Sequence, residues 1–268
     1  MPRISANRIN VFYRVQGDGE PVVLLHGFTA NHGIWEHQIE ALSQKFRVLA
    51  YDLRGHGDTD QPSSGHDINT LVQDLAELLE KLKIGAAHIA GVSLGGMVAQ
   101  RFCLDDPRRV KTLMLTDTFA GKISDELQKT LFHHARIGKQ EGMEALFEHL
   151  LEHPALPLGP DYQITLEELE EKRREFMKNG PDTLDKFVNM MAKIKDWSDE
   201  LENIDKPALL IVGDQDAPSL SHMREMHRKI QGSEFHVIAE CGHVCVSEKP
   251  EEISRLMLDF LCRHSGSS

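Results

Sequence analysis

Ala86-Ala87-His88-Ile89-Ala90-Gly91-Val92-Ser93-Leu94-Gly95-Gly96-Met97 decides how this chain is read, because an apolar strand-like run ends in Gly-x-Ser-x-Gly and passes straight into a helical pattern. A serine at such a junction must sit on a sharp, strained turn for its hydroxyl to stand clear of the sheet, so its neighbours must lack bulk. Gly91 and Gly95 meet that need, and Gly96 leaves room for the helix to press against the strand. Leu94 places a backbone N–H at the helix start, where the macrodipole favours a developing negative charge. A nucleophilic serine also needs a base and an acid that orients the base, expected in the chain order Ser, acid, His.

Both follow in that order. The apolar run 208–212 ends in Gly213-Asp214-Gln215-Asp216, and the alternating run 234–239 leads to Cys241-Gly242-His243. An acid at one strand end and a histidine on the next loop converge on Ser93 only if their strands share one parallel sheet, whose site lies at the carboxyl ends of the strands. Upstream, Val22-Val23-Leu24-Leu25 runs into His26-Gly27-Phe28, and the strand-like run 47–51 runs into Asp52-Leu53-Arg54-Gly55-His56-Gly57.

Together these segments resemble the α/β-hydrolase superfamily over most of the chain. Within it the nearest likeness is to small carboxylesterases, 3-oxoadipate-type enol-lactonases and cofactor-free haloperoxidase-like proteins. The resemblance implies an α/β fold with a mostly parallel sheet flanked by helices and a helical cap inserted after strand six of that family, here the run 112–116. It implies Ser93 as nucleophile, His243 as general base, Asp216 as the orienting acid, and the backbone N–H groups of Phe28 and Leu94 as an oxyanion hole. His26 is expected to pack beneath the oxyanion loop, and Asp52 and Arg54 to fix their turn, Asp52 through a salt bridge. Epoxide hydrolases and haloalkane dehalogenases carry aspartate in the elbow, so serine at 93 excludes those branches. Asp117 matches an alternative acid position in some relatives; Asp216 is preferred because its Gly-x-x-Asp turn carries the carboxylate past the strand end towards the histidine loop.

The implied chemistry is cleavage of a small carboxylic ester or lactone through an acyl-enzyme, with no cofactor and no metal. Two alternatives stay open. The same triad can hydrolyse a carbon–carbon bond in a ring-fission product, an anionic dienoate for which Arg136, Lys139, Arg173 and Arg174 are candidate cations. The fold also serves ligand-binding signalling proteins, and it alone names no substrate.

Around these motifs, strand-like runs alternate with helical patterns at 69–82, 97–104, 220–230 and 251–261, which argues for right-handed βαβ crossovers. The run 10–15 with Gly17-Asp18-Gly19 reads as an antiparallel edge hairpin. Segment 122–196 breaks the rhythm: it is helical in pattern, heavily charged and punctuated by Pro154, Pro157, Gly159-Pro160 and Gly180-Pro181. It reads as a cap of about four helices, since proline and Gly-Pro steps end helices, leaving 1–121 and 197–268 as the core. Its apolar face carries Phe176, Met177, Phe187, Met190, Met191 and Ile194, of which Phe187, Met190 and Met191 are the expected substrate contacts.

Composition narrows the partners. The 268 residues hold 42 acidic against 30 basic side chains, a net charge of −12, so the surface should repel phosphate backbones. A small-molecule substrate is expected rather than nucleic acid. No apolar run reaches a membrane span, and residues 1–7 lack the apolar core of a secretory signal, so a cytoplasmic location is expected. Cys103, Cys241, Cys245 and Cys262 form no C-x-x-C pair and read as free thiols, with Cys241 and Cys245 packing around the histidine loop. His149-Leu150-Leu151-Glu152-His153 matches an inverted zinc-protease pattern but has no third ligand at a typical offset, and Pro154 ends its helix, so it reads as accidental. Oligomeric state is left open.

Overall fold

In the computed structural model, which describes residues 2–266, the chain builds one eight-stranded sheet. In chain order the strands are β1 (Arg3–Ala6), β2 (Ile9–Gln16), β3 (Pro21–Leu25), β4 (Arg47–Tyr51), β5 (Ala87–Val92), β6 (Val110–Thr116), β7 (Ala208–Gly213) and β8 (Glu234–Ile238). Their spatial order is β1-β2-β4-β3-β5-β6-β7-β8; the β1–β2 and β2–β4 pairings are antiparallel and the rest parallel.

The edge hairpin differs from expectation. It is β1–β2, turning at Asn7 (φ 43°) and Arg8 (φ 66°), the pair of positive φ values that matches the twist of two joined strands. Gly17-Asp18-Gly19 instead carries the chain from β2 past β4 to β3, because β2 pairs with β4.

The helices are α1 (Glu36–Leu42), α2 (Ile68–Lys81), α3 (Leu94–Asp105), α4 (Asp125–Gln140), α5 (Met143–Glu152), α6 (Leu166–Phe176), α7 (Pro181–Met191), α8 (Ala217–Lys229), α9 (Cys245–Glu248) and α10 (Pro250–His264). They cover both faces of the sheet. Successive strand side chains point to opposite faces, so Val23 and Leu25 of β3 belong to the apolar cluster that takes in α2, α3 and α8, while Val22 and Leu24 belong to the one that takes in α1 and α10. Burial on both faces explains why the central strands read as continuous apolar runs. Between β6 and β7 the described chain forms α4–α7 and no strand, and this insertion has an apolar cluster of its own: Ile137, Leu146, Phe147, Phe176 and Leu184. No helix among the described residues is long and apolar enough to cross a membrane.

The β5–α3 junction fixes the rest. Ser93 adopts φ 52° and ψ −116°, a conformation that a residue with a side chain holds only under constraint from its surroundings. A Cβ on Gly91 would collide with the Gly95 carbonyl, and one on Gly95 with the carbonyls of Leu25 and His26. Gly95 therefore seats α3 against the end of β3. Gly96 serves differently from the expectation, since its close neighbour is Thr118, after β6, rather than the preceding strand. Thr118 Oγ1 in turn donates to the Ser93 carbonyl at 2.6 Å.

Urea unfolding checks this packing. Gly95→Ala should lose about 1–3 kcal/mol or more, the usual cost of forcing carbon into a filled space. Gly85→Ala, whose added Cβ meets nothing within 4 Å, should stay within about 0.5 kcal/mol of the parent.

Candidate active site

Three carboxyl-end loops of the parallel sheet bring Ser93, His243 and Asp216 together. Ser93 follows β5, Asp216 follows β7, and His243 lies on the loop between β8 and α9. Asp216 Oδ2 lies 2.7 Å from His243 Nδ1, and His243 Nε2 lies 3.0 Å from Ser93 Oγ. An ionised carboxylate only accepts, so Nδ1 carries the proton and Nε2 is left to accept from the serine hydroxyl. Asp216 also caps α8, its Oδ1 accepting from the Ser219 N–H at 3.3 Å, and the helix N-terminus favours its charge. Burial works against the charge of Asp216, but the His243 and Ser219 hydrogen bonds outweigh it and lower the pKa. For His243 burial pulls the pKa down, while the hydrogen bond and charge of Asp216, with Asp117 and Glu248 adding to it, raise it overall.

Asp117 has other partners. Its Oδ1 accepts from the Gly213 N–H at 3.1 Å and its Oδ2 from the Cys245 N–H at 2.9 Å, which ties the end of β6 to β7 and to α9. Burial pushes its carboxyl up to about 7, partly offset by His243. The Cys245 thiol donates to it at 3.3 Å and the Cys241 thiol to Cys245 at 3.2 Å; both cysteines are buried and fill the space behind the histidine loop.

Phe28 and Leu94 flank Ser93 at the floor of the same cavity. The Leu94 N–H is the first of α3 and has no intrahelical partner. Gly27 keeps the loop after β3 close, since a Cβ there would lie 3.3 Å from the Ser93 Cβ. His26 is fully buried beneath this loop: its Nε2 accepts from the Leu53 N–H at 2.8 Å, so its Nδ1 carries the proton and donates to the Gly27 carbonyl at 2.7 Å. Burial holds it neutral, with its pKa lowered to about 4. Asp52 accepts from the N–H of His32 and the N–H of Asp58, both at 2.8 Å, and pairs with His32 Nδ1 at 2.7 Å. Arg54 makes a two-pronged pair with Asp74 of α2, at 2.8 and 2.6 Å. These residues brace the loops after β3 and β4 and do not reach Ser93.

Above Ser93 and His243 lies a cavity of about 640 Å³, walled by the insertion. Of the three expected substrate contacts, the structure puts Met191 in its wall. Phe187 and Met190 are corrections. Phe187 is fully buried, its ring 5.9 Å from that of Phe28, 4.8 Å from His56 and 5.1 Å from His66, so it supports Phe28 from behind. Met190 faces a separate cleft with Ile194. The reason is helical phase: Leu184, Val188 and Met191 form one stripe of α7 and line the cavity, while Phe187, Met190 and Ile194 follow another. His149 and His153 stand at the end of α5 with ring centroids 4.9 Å apart, and no group of three or more His, Cys, Asp or Glu among the described residues is placed to hold a metal ion.

Ser219 and Glu248 did not stand out in the sequence. Ser219 had a readable signal, because Asp216-Ala217-Pro218-Ser219 is an N-cap followed by proline in the first turn. Glu248 had none.

The fold and this constellation define the class. The chain belongs to the α/β-hydrolase fold family, whose model matches residues 20–250. It is 30% identical to a 2-hydroxy-6-oxononadienedioate/2-hydroxy-6-oxononatrienedioate hydrolase of Burkholderia vietnamiensis, over 97% of this chain and 93% of that protein. Among solved structures it is similar to a thermophilic esterase from Thermogutta terrifontis, with a TM-score of 0.88 and 28% identity, covering 99% of this chain and 100% of the other. It is also similar to the enol-lactonase from Burkholderia xenovorans LB400, with a TM-score of 0.87 and 26% identity, covering 97% and 100%.

NMR titration of His243 should give a pKa above the ordinary imidazole value of about 6.5. Asp216→Asn should bring it below that of the parent, because the carboxylate that favours the protonated ring is gone while burial remains. A parent value under about 6.5 would mean that burial outweighs the Asp216 carboxylate.

Proposed function

We propose that the protein is a serine hydrolase that cleaves a small neutral carboxylic ester or lactone through an acyl-enzyme, with residues 122–196 acting as a cap over a core of 1–121 and 197–268. The observation that carries this reading is the unbroken relay from Asp216 through His243 to Ser93, opening into the largely apolar cavity. In the proposed reaction His243 Nε2 takes the Ser93 proton as Oγ bonds to the carbonyl carbon. The carbonyl oxygen becomes an oxyanion facing the N–H groups of Phe28 and Leu94. When the tetrahedral species collapses, the bond to the alkoxide breaks and His243 returns its proton to the departing oxygen. Water, deprotonated by His243, then attacks the acyl carbon; the bond from that carbon to Ser93 Oγ breaks, His243 returns the proton to Oγ, and the carboxylic acid leaves. Asp216 keeps the imidazole in the useful tautomer and stabilises the imidazolium.

Charge favours this over cleavage of a ring-fission product. The cavity wall includes the carboxylates of Glu36, Glu168, Glu171 and Glu175, against Lys172 as its one lysine or arginine among the described residues. The cations that a dienoate would call on are already paired: Arg173 with Glu144, Arg174 with Glu171 of the wall itself, Lys139 with Asp185, and Arg136 with His133. Glu36, Glu171 and Glu175 are paired with Arg14, Arg174 and Lys178, so a dianion such as the dienedioate named for the Burkholderia vietnamiensis relative would find Lys172 as the one lysine or arginine of the wall among the described residues, whereas a neutral ester needs no cation. Enol-lactone and esterase chemistry in the structural relatives support the same reaction class.

Ser93→Ala should fold normally and lose at least about three orders of magnitude in ester turnover; retention of a tenth of the rate would refute the nucleophile. Asp216→Asn should cost far more than Asp117→Asn, since only the former touches the imidazole, and the reverse order at equal stability would transfer the acid to Asp117. Because neutral His243 is the base and its pKa is raised, kcat/KM should fall on acidification with a midpoint above about 6.5. On matched leaving groups, neutral acyl esters should turn over faster than esters bearing a free carboxylate; the opposite preference would favour the carbon–carbon reading.

A further inference from the structure

We infer that Glu248 is a positioning residue for the proposed reaction, a clamp that joins the loop carrying His243 to the base of the helical insertion. The inference rests on the serine-hydrolase reading for its catalytic meaning and on hydrogen bonds alone for its structural content.

Glu248 ends the short helix α9, five residues after His243. Its Oε2 accepts from the Gly242 N–H at 2.9 Å and from the Gly159 N–H at 2.8 Å, and its Oε1 from the Val244 N–H at 3.4 Å. One carboxylate thus holds the backbone immediately before and after the imidazole and reaches across to the segment between α5 and α6. No lysine or arginine pairs with it among the described residues, so backbone N–H groups answer its charge, in the charge-assisted bonds that are stronger than neutral ones. A second strut runs parallel to it, from the His243 N–H to the Pro157 carbonyl at 2.8 Å.

The two backbones are in direct contact, and glycine makes that contact possible. A Cβ on Gly242 would collide with the Pro157 carbonyl and with Leu158, and one on Gly159 with the Glu248 carboxylate and the Glu240 carbonyl. Pro154, Ala155, Leu156 and Leu158 of this segment line the cavity above Ser93. Substrate pressing on the cavity wall therefore pushes on the strut that sets the height of the imidazole. Glu248 makes no contact with Ser93 or the reacting carbonyl position; it acts through the loop. Its negative charge also favours the protonated imidazole, which gives the clamp an electrostatic signature distinct from mere loop support.

The test uses full-length Glu248→Gln and Glu248→Ala. Glutamine keeps the volume and one acceptor oxygen but removes the charge and turns an N–H₂ towards the loop amides; alanine removes the clamp. Hydrogen exchange should accelerate at the amides of both Gly159 and Gly242 in Glu248→Ala, with Glu248→Gln intermediate. By NMR, His243 should titrate at lower pH in both variants. On a neutral ester, kcat should fall by on the order of 10- to 100-fold in Glu248→Ala, the scale of a misplacement of about 1 Å, with partial recovery in Glu248→Gln and the acid limb of the pH–rate profile moved to lower pH. Unchanged exchange at Gly159 and Gly242, or an unmoved His243 titration, would overturn the clamp. Exchange and titration need no turnover, so a parent protein that hydrolyses no ester would sink the functional reading while these two measurements still decide the role of Glu248. If Glu248→Ala does not fold, Glu248→Gln supplies the same readouts.

Discussion

Backbone pressed against backbone at the end of β5 is the contact from which the rest of the molecule takes its positions. Gly91 and Gly95 let the first turn of α3 meet both its own strand and the carbonyls of Leu25 and His26. With the helix held that close, the single residue left to make the turn is forced to φ 52°. Its hydroxyl then points out of the sheet, and the first N–H groups of α3 point at the same space. The strain belongs to a site that the surrounding packing over-determines. The loop after β3 joins this arrangement through His26, whose two ring nitrogens bond the backbones of Gly27 and Leu53 and so lock the β3 and β4 loops together.

Carboxylates near one imidazole take different roles according to their surroundings. Asp216 receives a ring N–H and a helix N-terminal N–H, both of which favour its charge. Asp117, wholly buried between β6, β7 and α9, is driven the other way by desolvation and works as a backbone tie. Glu248 stands at the edge of the loop and bonds amides on two segments. All three are carboxylates; what separates them is which donors reach each oxygen. The cavity repeats the lesson, since much of its apolar wall comes from α4, α5 and α7 while its charged residues come from α6 and the start of α1.

The sequence by itself determined the strands from β2 to β8, most of the helices and the elbow, because these depend on local constraints: apolar period, proline and glycine punctuation, and the absence of bulk beside Ser93. It also carried the order Ser, acid, His, so Ser93, Asp216 and His243 were legible as a set once the sheet was taken as parallel. What only the tertiary structure decided depends on contacts between distant segments. The pairing of β2 with β4 moved the edge hairpin to Asn7-Arg8, and the partners of Asp117 turned out to be backbone amides 96 and 128 residues away. Both apolar stripes of α7 are buried, so amphipathicity did not tell Met191, which faces the cavity, from Phe187 and Met190, which do not. The rotation of a helix about its axis is set by what it packs against, and no local pattern records that. Glu248 was invisible for the same reason: a surface-like glutamate acquires its role only when Gly159 is folded back onto Gly242.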